Sequence, residues 1–123
     1  MDLSCTDLPD GIRRIALRGR MDIEGATGID LRFTPLVVTG NHLVLVDLAD
    51  LDFIASLGIS VIVQAAKSVA LRGGALVLAR PRPSVKQVLT STRIGERIPV
   101  FDDEDEARAA LRSGNRPAAR AAG

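Results

Sequence analysis

The chain has 123 residues, 46 % apolar and 25 % charged, the balance of one soluble globular domain rather than a disordered segment or two cores. Aromatics make up 2 %, three Phe with no Trp or Tyr, so the core must come from Val, Ile, Leu and Ala, and a base-stacking platform is argued against. Net charge is +1, but Arg112, Arg116 and Arg120 hold the excess; residues 1–111 carry 13 basic against 15 acidic groups, which argues against a nucleic-acid partner.

Pro9-Asp10-Gly11 is a turn signal between two short runs of strand type, so residues 3–6 and 12–18 are expected to pair as a hairpin. Gly19-Arg20-Met21-Asp22 closes the second run, and Asp22 is placed to cap a helix starting near Ile23. Ala26, Ile29, Phe33, Leu36 and Val37 recur at spacings of three and four, which predicts an amphipathic helix over 23–39. Pro35 lacks an amide donor and is expected to kink or end it nearby. Residues 42–48, HLVLVDL, read as a strand buried on both faces. A second helix over 57–71 is stopped by Gly73, and ALVLA at 75–79 is a second buried strand. Pro83-Ser84 opens a third helix, 99–101 is a short strand, and 102–111 is a last, Ala-rich helix.

The order ββαβαβαβα predicts an α/β domain over 1–111, a mostly parallel sheet opened by an N-terminal hairpin and flanked by four helices. Residues 112–123 contain no large apolar side chain and are expected to form a disordered, Arg/Ala-rich tail. The first residues have no basic and apolar signal pattern, and no apolar run is long enough for a membrane span. One cysteine, Cys5, excludes an internal disulfide and is expected to be a small buried hydrophobe. These features fit a reducing, cytoplasmic compartment.

The informative segment runs from Val46 to Ile59: a buried strand, an acidic turn at Asp47–Asp52, then Ser56 opening a helix. On spacing, Ser56 is the natural N-cap, its hydroxyl facing the free amides of the first turn. The functional alternative is an exposed hydroxyl that is modified. On the second helix, Gly58, Ile62, Ala65, Ala66 and Val69 suit the sheet, while Leu57 and Val61, with Ile59 as an optional third, form a second apolar stripe interrupted by Ser60, Gln64, Lys67 and Ser68. Such a stripe is either buried or a contact surface.

GRMD at 19–22, LVDLADLDFIASLGISVIV at 45–63 and Gly73-Gly74 before a buried strand resemble a STAS domain, the family of anti-sigma-factor antagonists and of sulfate-transporter cytoplasmic domains. The resemblance spans about residues 3–111, and its most specific part is the Asp-Leu…Phe-x-x-Ser-x-Gly block with the apolar helix behind it. In the antagonist branch, a Ser at the start of the second helix is phosphorylated by a partner that is both serine kinase and anti-sigma factor. The unphosphorylated form binds that partner and frees the sigma factor. The resemblance thus implies Ser56 as phosphoacceptor, Asp22 and Asp47 as acids near it, and Leu57, Gly58, Ser60 and Val61 at the docking surface. It implies no enzyme activity and no cofactor; a homodimer stays open. Two positions depart from the pattern: Ala55 stands where the family commonly has Asp, and Leu57 where it has a second hydroxyl. The alternative role is a non-phosphorylated docking subunit of a transport or stress-sensing complex.

Other candidates have plainer readings. The one histidine, His42, is some six residues of strand from the Ser56 end, too far to activate a nucleophile, and no Gly-x-Ser-x-Gly elbow exists. Gly73-Gly74 precedes a strand, whereas a phosphate loop needs a helix there. Asp102–Glu106 places acids at a helix start, where the macrodipole favours them. Asp22 and Asp47 suit capping and turn roles better than a shared cation.

Overall fold

Asp2–Asp7 (β1) and Ile12–Met21 (β2) form the expected hairpin, closed by Gly11 at φ +84° and by the Leu8 amide donating to the Ile12 carbonyl at 2.8 Å. The structure, a computed structural model, describes residues 1–39 and 43–113. His42 and most of the expected tail, residues 114–123, lie outside the described residues.

The remaining elements are Ile23–Val38 (α1), Leu43–Ile54 (β3), Ser56–Leu71 (α2), Ala75–Ala79 (β4), Pro83–Ser91 (α3), Val100–Phe101 (β5) and Glu104–Arg112 (α4), with a 3-10 turn at Ile94–Glu96. The sheet order is β1-β2-β3-β4-β5; β1 runs antiparallel to β2, and all later pairs are parallel. The α/β architecture with an opening hairpin and four helices is the one the sequence predicts.

Alternation along the strands sorts side chains onto two faces. Ile15, Leu17, Met21, Val44, Val46 and Leu48 join Phe33 and Ile62 in the main core with α1, α2 and α3. Ile12, Leu45, Val77 and Ala79 form a smaller core under Ala107 and Leu111 of α4. Arg112, expected in the tail, is the last residue of α4 and donates to Asp10 at 3.1 Å. Cys5 is exposed rather than buried, because β1 is an edge strand that turns only Leu3 into the core.

Asp22 caps α1 as predicted, accepting from the Gly25 amide at 2.8 Å. A Cβ on Gly25 would stand 2.3 Å from the Arg20 carbonyl, so only glycine lets the helix start this close to β2. α1 passes through Pro35 and ends at Val38. Its last turn is held from outside: Arg13 donates to the carbonyls of Leu36 and Thr39, Arg72 donates to that of Val38, and the Thr39 hydroxyl donates to that of Pro35.

The main departure is in β3, which continues to Ile54 instead of ending in an acidic turn at Leu48. The reason is its neighbour. β2 also continues through Gly19 to Met21 and gives the extension a partner from Arg18↔Asp50 to Met21↔Ile54, with two register shifts. Those irregularities keep Leu51 and Ile54 in the core and turn Asp50, Asp52 and Phe53 outward.

Candidate functional site

The extended ends of β2 and β3 carry the start of α2. The Ala55 amide donates to the Met21 carbonyl at 2.9 Å, which anchors the turn one residue before Ser56. Ala55 is therefore the N-cap, in extended conformation, and Ser56 enters the helix as its first residue. The expectation that Ser56 caps α2 is corrected. Its side chain is exposed, and its hydroxyl makes no hydrogen bond among the described residues. Alanine offers no acceptor, so the amides of Ser56, Leu57 and Gly58 are unclaimed among the described residues.

Gly58 was expected both on the sheet face and at the docking surface, and only the first holds. It is buried, and a Cβ there would meet Ile54 and Met21 side-chain carbons at 2.9 Å. Val61 is also corrected: it points into the main core with Ile62 and Ala65, because the buried face of α2 is wider than the Gly58-Ile62-Ala65-Val69 stripe. Leu57 is 39 % exposed and Ser60 is exposed, so these two remain on the surface beside Ser56.

Asp22 lies next to this turn, through the Met21–Ala55 hydrogen bond, and lines a hollow of about 430 Å³ together with Ala55, Ile23, Glu24, Arg20 and Phe53. Ile23 is 69 % exposed and Phe53 37 %, so with Leu57 three apolar side chains surround the Ser56 end. The Arg20 guanidinium stacks over the Phe53 ring, 4.5 Å from its centroid. Sequence reasoning missed Arg20, Ile23 and Phe53. The alternation of Arg18 and Arg20 past Gly19 was the available signal for a longer β2.

Asp47 is not part of this group. It lies in the middle of β3 opposite Ala16, five β2 residues or roughly 16 Å from the Met21 end. Only 4 % exposed, it accepts from Arg14 at 2.5 Å and from Arg80 at 2.7 and 3.1 Å, and its Oδ1 also takes the Ala49 amide at 3.1 Å. Arg14 continues to Glu104 of α4 at 2.8 Å. The hydrogen bond from Asp47 holds the Arg80 guanidinium above its ordinary range. Asp47 is thus neither a turn residue nor a neighbour of Ser56; it ties β2 and β3 to the residue after β4 and, through Arg14, to α4.

The acidic run behaves as its helix-start position predicts: Asp103 caps α4 by accepting from the Asp105 amide at 3.1 Å. Among the described residues no group of three His, Cys, Asp or Glu is arranged to hold a metal ion, and no helix is long and apolar enough to cross a membrane.

Comparison with known proteins bears on the family and the fold. The family model described as the STAS domain matches residues 6–107. BtrV of Bordetella bronchiseptica, named as a candidate anti-sigma factor antagonist, is 29 % identical over 107 residues, covering 87 % of this chain and 92 % of its own. A structure from Thermotoga maritima, also titled as a candidate anti-sigma factor antagonist, superposes with a TM-score of 0.82 at 23 % identity, covering 89 % of this chain and 94 % of that one. The antagonist SpoIIAA in its unphosphorylated form gives 0.75 at 18 % identity, with 91 % and 97 % covered. These likenesses show the fold.

Proposed function

The chain belongs to the STAS domain family, and on that premise we propose that it is an anti-sigma-factor antagonist acting by partner switching. It binds an anti-sigma factor with serine kinase activity while Ser56 is unphosphorylated, and phosphorylation of Ser56 releases it. One observation carries the reading: Ser56 presents a hydroxyl, and a first helical turn presents amides, that have no partner among the described residues, near exposed Ile23, Phe53 and Leu57. The name of its relative BtrV supports the class of partner.

The chemistry divides between the two proteins. Phosphorylation adds a charge of about −1.5 to −2 at neutral pH. The free amides and the macrodipole favour that charge by about 0.3–1 kcal/mol at an exposed helix start, so the domain itself is not strained. A partner packed on Leu57 and Ser60 would instead have to desolvate the phosphate. Asp22 and Glu24, which line the hollow beside Ala55, would offset part of that helix-start gain and add to the negative charge that a partner meets after phosphorylation. The alternative, a non-phosphorylated docking subunit, is favoured by Ala55 and Leu57, which depart from the family pattern. No catalysis by this chain is part of either reading.

Titration calorimetry against the anti-sigma factor encoded nearest to this gene tests the proposal. Ser56→Ala is expected to bind like wild type, and Ser56→Asp to lose at least about tenfold in affinity, or about 1.4 kcal/mol. Leu57→Arg should abolish binding and leave Tm unchanged. Full affinity in Ser56→Asp overturns the switch and leaves the docking subunit.

A further inference from the structure

Almost every basic side chain in the described residues has a partner. Arg13, Arg14, Arg18, Arg80, Arg82, Lys86, Arg93, Arg108 and Arg112 pair with carboxylates. Arg32 and Arg72 donate to backbone carbonyls, and Arg20 stacks on Phe53. Lys67 and Arg97 alone, among the described residues, have none. Both border the same depression.

Two adjoining hollows, of about 110 and 380 Å³, share Val63 and Arg97 and run between α2 and residues 92–98. One wall is a flank of α2 on which Ile59, Val63, Ala66 and Ala70 follow one another at helical spacing. Lys67 stands on the α2 side and Arg97 on the opposite wall. Arg93, at the same wall, is already neutralised by Glu96 at 2.8 Å. The trough therefore sets an apolar flank of α2 against a more polar wall of residues 92–98, with Lys67 on the first and Arg97 on the second unpaired among the described residues. From Ile59 to Ala70 it follows α2 for about 16 Å, or three helical turns, running away from Ser56.

We propose that this trough docks an acidic amphipathic helix of a protein partner, about three turns long, with its apolar stripe on Val63 and Ala66 and its carboxylates against Lys67 and Arg97. Charge complementarity selects this occupant. A basic helix would meet two unpaired cations, and a neutral one would leave them without counter-charge. The contact is separate from the switch proposed for Ser56 and does not require phosphorylation.

The test uses the full chain, nitrogen-15 labelled, and a synthetic three-turn amphipathic peptide with a leucine stripe flanked by glutamates. A twin carrying lysine in place of glutamate is the control. The glutamate peptide is expected to give saturable amide shifts at Val63, Lys67, Ala70 and Arg97, unchanged in Ser56→Asp. Lys67→Glu with Arg97→Glu should weaken it at least about tenfold and admit the lysine twin instead. Neither side chain has a partner to lose, so Tm of that variant should match wild type. No saturation at millimolar peptide, equal binding of both peptides, or shifts centred elsewhere overturns the proposal. Self-association of the free chain that those two substitutions abolish would also overturn it, by assigning the trough to a second copy.

Discussion

Two helices begin side by side at the carboxyl ends of β2 and β3, and they begin differently. α1 starts from Asp22, whose carboxylate takes the Gly25 amide; α2 starts from Ala55, whose side chain takes nothing, and the Ser56 hydroxyl has no bond among the described residues. A similar contrast runs along β3. Asp47, mid-strand, is buried and fully engaged by Arg14 and Arg80, whereas the end of the same strand presents Phe53 and a free serine to solvent. Groups whose hydrogen bonds are satisfied internally hold the fold together. Groups left unsatisfied at one end of the sheet are available to a partner.

The largest break in that contrast should come from Asp47→Ala. It removes the carboxylate that bonds Arg80 and leaves Arg14 with Glu104 alone, and loss of one member of a buried pair costs about 3–5 kcal/mol. Arg14 and Arg80 keep some solvent access, so the lower end is expected, with Tm falling by about 10 °C or more in thermal melts. A smaller, sharper comparison sets Asp22→Ala against Ser56→Ala. The first removes a working cap and should cost about 1 kcal/mol; the second removes a hydroxyl with no bond and should stay within about 0.5 kcal/mol. Equal losses in urea titrations would contradict the difference between the two helix starts.

The smallest effect is at the far end of the hairpin. Burial raises the Asp10 carboxyl, but hydrogen bonds from Arg108 and Arg112 outweigh it and hold the group below the usual carboxylate range. A lowered folded pKa gives stability that is present above the unfolded value of about 3.9 and is lost as pH falls through the folded one. An acid melting series below about pH 4 should therefore show a steeper decline in wild type than in Asp10→Asn, which keeps the contributions of Asp2 and Asp7.

The parts of the fold written in local pattern were legible. ALVLA is a strand because five apolar residues between glycines and a Pro-initiated helix leave no other reading, and the Asp22 cap follows from one side chain and its position. Parts that depend on distant partners were not legible. β3 runs past Leu48 only because β2 runs past Arg18, and the register shifts hide the alternation that would have marked both extensions. Asp47 reads as a turn acid until Arg14 of β2 and Arg80, just past β4, close on it, with Glu104 of α4 behind Arg14. At the candidate site, Ser56 and its helix were found by sequence. Sequence alone leaves two readings open, a hydroxyl that caps the helix or one that stands free, since that depends on the Ala55 amide reaching back to Met21. Val61 misled because the sheet covers more of α2 than a single heptad-like stripe.

The central claim is that the Ser56 hydroxyl is a phosphoacceptor that the fold leaves free. The most direct measurement is the intact mass of the protein expressed in its native host, before and after phosphatase, with the site located by fragmentation. The account predicts a phosphatase-sensitive gain of about 80 Da, one phosphoryl group, confined to Ser56. An unmodified Ser56 across growth conditions, or a phosphate placed on another hydroxyl, would contradict it.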